Sequence, residues 1–254
     1  MSGNVFKDTE GNNRTGRIQL KDITPTIVWL ESITNLPLED NKLGSVGKKQ
    51  SSGDIDLAVD SNKFSKDQLV NTLTTWAAHN NHALSDCVKK SGISVHFKTP
   101  IAGNLQNGYV QTDFMFGNDI EFMKFSLYSA GDVSKFTGGQ RNLLMSSIAK
   151  SINNGATKYS WQRGLIERSS GNLVTKNPLR IARYLLGQNC SDSDLNSVES
   201  IMHTLLQHSR NRIDDIAKLA EQLKLKSNKK VSEIKADLAE SARIDDILKF
   251  YNLS

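Results

Sequence analysis

The chain has 254 residues, a formal net charge of +5 and 37% hydrophobic residues, enough for one large domain or two modest ones with a packed core. No apolar run approaches the length of a membrane span, and the start Met-Ser-Gly-Asn-Val-Phe-Lys-Asp has no hydrophobic signal core, so a soluble cytoplasmic protein is expected. The basic excess lies mainly in the C-terminal part; it permits a polyanionic partner without demanding one. Cys87 and Cys190 stand far apart, with no histidine at metal-ligand spacing, and are read as reduced, packed thiols rather than a zinc site.

Residues 1–20 are polar and Gly/Asn-rich, and a loose arm is expected there. A helix is expected from the Ile23-Thr24-Pro25-Thr26 segment, with Ile27, Leu30 and Ile33 at helical spacing and Pro37 after its end. A strand over 55–60 follows, then a helix over 65–82 with Ser65 as cap and Leu69, Leu73, Trp76 and Ala77 as its buried stripe. Residues 93–97 alternate as a strand, residues 99–108 carry turn chemistry, and Tyr109–Phe116 reads as a third strand. Beyond it a helix is expected over 138–153, then a short strand pair at 159–161 and 173–174. After Pro178 amphipathic stripes succeed one another to Phe250, interrupted by a basic link at 224–230. The expected fold is α+β: a mixed sheet flanked by helices over residues 21–165, then a helical domain over 166–254.

The densest chemistry lies in Gly44-Ser45-Val46-Gly47-Lys48-Lys49-Gln50-Ser51-Ser52-Gly53-Asp54-Ile55-Asp56. Gly44-Ser45 offers a turn and a hydroxyl able to close on a phosphate. Asp54 and Asp56 stand two apart at a strand start, so both carboxylates project from one face. They repel unless a cation sits between them, and Mg²⁺ suits carboxylates combined with phosphate oxygens. Asp113, on the third strand, supplies a third carboxylate. Three can hold two divalent ions about 3.5–4 Å apart, the arrangement for in-line phosphoryl or nucleotidyl displacement. Lys48 and Lys49 are candidates to neutralise a triphosphate, with exposed loop lysines as the alternative.

Gly44-Ser45, Asp54-x-Asp56 and the later-strand Asp113 together resemble the nucleotidyltransferase superfamily built around the DNA polymerase beta fold. Ser51-Ser52-Gly53-Asp54-Ile55-Asp56 is similar to the polymerase beta branch. So is Leu127-Tyr128-Ser129-Ala130-Gly131-Asp132, which matches a segment lying against the sugar and base of the incoming nucleotide. Lys158-Tyr159-Ser160 resembles a later strand of that branch, and Gln111-Thr112-Asp113-Phe114-Met115-Phe116 resembles nucleotidyltransferases of tailed bacteriophages. The resemblance covers residues 25–165. It implies Asp54, Asp56 and Asp113 as catalytic metal ligands for two Mg²⁺ or Mn²⁺ ions. It further implies a nucleotide site of Gly44, Ser45, Lys48, Lys49, Gly53, Tyr128, Ser129 and Arg141, ATP being one candidate nucleotide. Lys48 or Lys49 would replace the family's phosphate-binding arginine, because the spacer before Asp54 is one residue shorter. No N-terminal DNA-binding helical domain is recognisable, so templated gap filling is not expected.

The implied reaction moves a nucleoside monophosphate from an NTP or dNTP to a hydroxyl and releases pyrophosphate. A nucleic-acid 3′ end, RNA (including tRNA) or DNA, is the expected acceptor, met by basic residues of the helical part such as Arg180, Arg183, Arg210 and Lys224. A protein side chain or a small molecule is the alternative, and a non-catalytic phage structural or binding module on the same fold is a second one.

Overall fold

The computed structural model describes residues 5–80, 84–152 and 155–208. The stripes expected over 213–250, the basic link at 224–230 and Arg210 lie outside the described residues. The chain divides into two compact units, Met1–Asp132 and Val133–Ser254; the boundary expected after residue 165 falls inside the second.

In the first unit, residues 5–17 are tied to the fold at several points rather than loose, though most of their side chains are exposed. Phe6 is 1% exposed and Ile18 fully buried. Gly16 N–H donates to the Tyr109 carbonyl at 2.8 Å, Lys89 Nζ donates to the Val5 carbonyl at 2.7 Å, and Arg14 pairs with Asp86 at 3.1 Å. Two anchors in a polar stretch leave no periodicity, which is why the sequence reads there as an arm. The short strand β1 (Ile18–Gln19) pairs antiparallel with β2 (Ser51–Ser52) and runs directly into helix α1 (Leu20–Thr34). The helix starts ahead of the expected Ile23, and Pro25 lies inside it.

Strand β3 (Asp54–Asp60) is followed by α2 (Lys66–His79), whose Ser65 cap and Gln68 form a reciprocal capping box. Then come α3 (Leu84–Cys87), β4 (Val88–Ser91), β5 (Ser94–Pro100), β6 (Tyr109–Gly117) and α4 (Ile120–Ser126). The sheet order is β3-β6-β5-β4, with β3 and β6 parallel and the other neighbours antiparallel. The result is a mixed sheet in an α+β unit, as expected.

Alternation gives this sheet two unlike faces. Ile55, Leu57, Val59, Val95, Phe97, Val110, Phe114 and Phe116 pack with Ile23, Ile27 and Leu30 of α1 and with Leu69, Leu73 and Ala77 of α2. Trp76 belongs to this core, its ring edge-on to Trp29 at 5.4 Å and to Phe97 at 5.3 Å. Each fully buried aliphatic or aromatic side chain contributes about 1.5–3 kcal/mol relative to exposure. A one-residue slip of β3 would turn Asp54 and Asp56 into this core, so packing fixes the register that the carboxylates need. On the opposite face the register sets Asp54 beside Gln111, Asp56 beside Asp113, His96 beside Asp113, and Lys98 beside Gln111.

The second unit contains α5 (Gly138–Ser151), capped by Thr137, and the antiparallel strands β7 (Thr157–Ser160), β8 (Gly164–Glu167) and β9 (Leu173–Thr175). The expected pairing of 159–161 with 173–174 is corrected: β8 lies between β7 and β9 and bonds both. Helix α6 (Pro178–Leu186) opens on an Asn177 cap with Pro178 at its first position, and α7 (Val198–His208) follows. Cys87 and Cys190 are free and buried. Among the described residues no helix is long and apolar enough to cross a membrane.

Candidate metal centre

Asp54 and Asp56 open β3, and Asp113 sits directly beside Asp56 on the parallel neighbour β6. Each of the three offers a carboxylate oxygen, and these oxygens lie within 4.8 Å of one another. The first unit's apolar packing forces that crowding, because neither strand can shift without exposing core. Its electrostatic cost is visible. Burial, and then the neighbouring charge of Asp113, push the Asp54 carboxyl up to about 6. Burial, and then the charges of Asp54 and Asp113, push Asp56 up to about 8. Carboxylates so placed are relieved by a proton or by a cation. The donor set is three hard oxygens with no sulfur or imidazole among them, which fits a hard divalent ion.

Asp113 is 7% exposed and held from two sides. His96 Nδ1 lies 2.7 Å from Asp113 Oδ1, and Gln111 Nε2 donates to the same oxygen at 2.8 Å. The Gln111 amide is oriented in turn by Val5 N–H, which donates to its Oε1 at 2.8 Å. Among the described residues, both Asp113 side-chain bonds engage Oδ1, and Oδ2 has no partner there. Such outer partners fix the direction of a metal-binding carboxylate. Neither His96 nor Gln111 is among the site residues expected from the sequence. Gln111 carried a usable signal, since it stands two before Asp113 on one strand and shares its face. His96 acquires its place only through the pairing of β5 with β6.

The Gly44-Ser45 turn meets the site at Asp56. Leu43 N–H donates to the Asp56 carbonyl at 2.9 Å, and Gly44 has φ +61°. A Cβ on Gly44 would lie 3.4 Å from Asp56 Oδ2, an ordinary contact distance, so glycine is favoured here by its left-handed backbone angle. Ser45 accepts from Lys48 N–H through its carbonyl, closing the turn.

Lys48 stands 3.8 Å over the Tyr128 ring and donates from Nζ to the Ser129 carbonyl at 3.1 Å. Three expected nucleotide-site residues therefore form one cluster. Gly131 has φ +70°, and a Cβ there would meet the Lys48 carbonyl oxygen at 2.8 Å, so the two loops touch backbone to backbone. Lys49 pairs with Asp132 at 3.7 Å. Gly53, between β2 and β3, is exposed beside Arg17. Arg141, expected at phosphate or base, is instead 1% exposed within the second unit, where its Nε donates to the Leu195 carbonyl. It ties α5 to the turn Asp192–Leu195, and a guanidinium so enclosed has no access to a nucleotide.

No known protein family matches the chain, and neither a curated protein nor a solved structure matches it.

Proposed function

We propose that the chain is a nucleotidyltransferase of the polymerase beta type, using Mg²⁺ or Mn²⁺ to move a nucleoside monophosphate from an NTP or dNTP to a hydroxyl acceptor. The observation that carries this reading is the trio Asp54, Asp56 and Asp113 on two adjacent parallel strands, with the Gly44-Ser45 turn at its Asp56 end. A lone acidic cluster has many uses; one abutting a glycine turn and a lysine-bearing loop suits a polyphosphate.

Bound ions would lower the pKa of the attacking hydroxyl and neutralise charge on the leaving pyrophosphate. The chain's own part is placement. Asp54, Asp56 and Asp113 Oδ2 would hold the ions, and His96 and Gln111 would keep Asp113 aimed. Ser45 and the turn amides would receive phosphate oxygens, while Lys48 and Lys49 offset their charge. Tyr128 and Ser129 would border the nucleotide. The acceptor oxygen bonds to the α-phosphorus as the bond to the pyrophosphate oxygen breaks, with the hydroxyl proton passing to water. Positioning and charge stabilisation carry such reactions.

The test is incubation with each α-³²P-labelled NTP and dNTP, Mg²⁺ or Mn²⁺, and RNA, DNA or lysate as acceptor. Label on an acceptor, lost in Asp56→Asn, is expected. Label on none, with unlabelled pyrophosphate never released, contradicts the reading.

A further inference from the structure

A cleft of about 360 Å³ opens beside the carboxylate cluster, away from the Gly44 turn. Its walls include Asn13, Thr15, Arg17, Gly53, Asp54 and Gln111. It thus touches one carboxylate of the cluster, Asp54, whereas the Gly44-Ser45 turn touches another, Asp56. The cluster separates two distinct surroundings. The turn side carries Lys48 and Lys49. The cleft side is walled by the anchored segment 13–17, which the sequence alone presents as a polar arm.

Arg17 is built into this wall rather than hanging from it. Its Nε donates to Ser51 Oγ at 3.1 Å and its Nη2 donates to the Ser51 carbonyl at 2.8 Å. That grip fixes the guanidinium plane and brings Nη1 to Gly53, 3.7 Å from the place a Cβ would occupy. A pinned guanidinium presents its remaining N–H groups to an anion at little entropic cost. One cation matches a phosphate mono- or diester and is a poor match for a triphosphate. The cleft's volume lies at the low end of the ≈ 300–1,000 Å³ typical of small-molecule sites. That is room for one nucleotide or sugar phosphate, not for a duplex or a folded protein surface.

We propose that this cleft is the acceptor subsite, taking a hydroxyl-bearing phosphate ester whose phosphate meets Arg17 and whose hydroxyl lies at Asp54. The proposal rests on the nucleotidyl-transfer reading. Two sources share the chemistry: the 3′ end of a single nucleic-acid strand and a free sugar phosphate.

The test uses the full chain with Mg²⁺ and two kinds of probe. α,β-Methylene triphosphate analogues of all four bases report the donor side. Labelled single-stranded RNA and DNA hexanucleotides and, separately, labelled ribose 5-phosphate, each measured by direct binding, report the cleft. Arg17→Ala is expected to weaken hexanucleotide binding at least tenfold, and Asn13→Trp, which fills the cleft from its exposed rim, to abolish it. Both variants should leave analogue binding within twofold, and Arg17→Lys should recover part of the loss. Ribose 5-phosphate that binds with Arg17 dependence while hexanucleotides do not bind would assign the free sugar phosphate as the source. Equal losses for analogue and hexanucleotide, or no change in either, would overturn the proposal. Analogue binding with no binding of hexanucleotide or ribose 5-phosphate overturns it too, while leaving nucleotidyl transfer standing. Failure of every analogue to bind removes the reading beneath it.

Discussion

Asp56 is the residue at which the cost of the site is concentrated. Its carboxyl is raised to about 8 from an ordinary 3.8, so between those values the folded chain holds a proton that the unfolded chain has lost. Stability of the metal-free protein therefore falls as pH rises from about 4 to about 8, because the folded state binds more protons than the unfolded. Asp54, raised to about 6, adds to the same trend over the lower part of that window. A cation bound by the ionised carboxylates reverses it. Saturating Mg²⁺ is expected to raise the melting temperature more at pH 8 than at pH 5, as read by scanning calorimetry. Asp56→Asn should raise metal-free stability at pH 8 by ~1–3 kcal/mol, discounted for relaxation of the cluster, and abolish the Mg²⁺ response. Gly44→Ala makes the opposite case. It places a Cβ at φ +61° beside Asp56 Oδ2, and should cost ~1–2 kcal/mol in urea unfolding.

At the scale of elements, the pairing of β5 with β6 matters as much as the carboxylates. It seats His96 against Oδ1 of Asp113 and so fixes the direction of the carboxylate. His96→Ala should weaken Mn²⁺ binding by about 10–100-fold, the usual cost of losing an outer partner. His96→Asn, which keeps a donor near the Nδ1 position, should recover much of it; a purely structural role would show the same melting loss in both variants and no difference in metal affinity. Strands β3, β5 and β6 were legible because Ile55/Leu57, Val95/Phe97 and Val110/Phe114 alternate with polar residues. Strand β4 was not, since Val88-Lys89-Lys90-Ser91 is a short lysine-bearing edge with one buried side chain. Strand β8 escaped because Gly164-Leu165-Ile166 is buried throughout and shows no alternation. Of the site, the three aspartates and Gly44 could be read from spacing. The seating of His96, the pinning of Arg17 and the burial of Arg141 depend on partners distant in sequence.

For the whole molecule, the first unit contains every element of the metal centre, from the anchored residues 5–17 to the loop ending at Asp132. Deleting residues 1–10 would remove Val5, which orients Gln111, and Phe6, which anchors the segment. The expected outcome is weaker metal binding together with a lower melting temperature, where an unattached arm would change neither. Divalent-ion binding by Asp54, Asp56 and Asp113 is the property on which every proposed role of this site depends. Mn²⁺ titration followed by electron paramagnetic resonance measures this directly. The wild-type chain should bind Mn²⁺ stoichiometrically and release it to Mg²⁺, and the triple variant Asp54→Asn/Asp56→Asn/Asp113→Asn should bind none at that site. Equal Mn²⁺ binding by the wild type and a folded triple variant would contradict it.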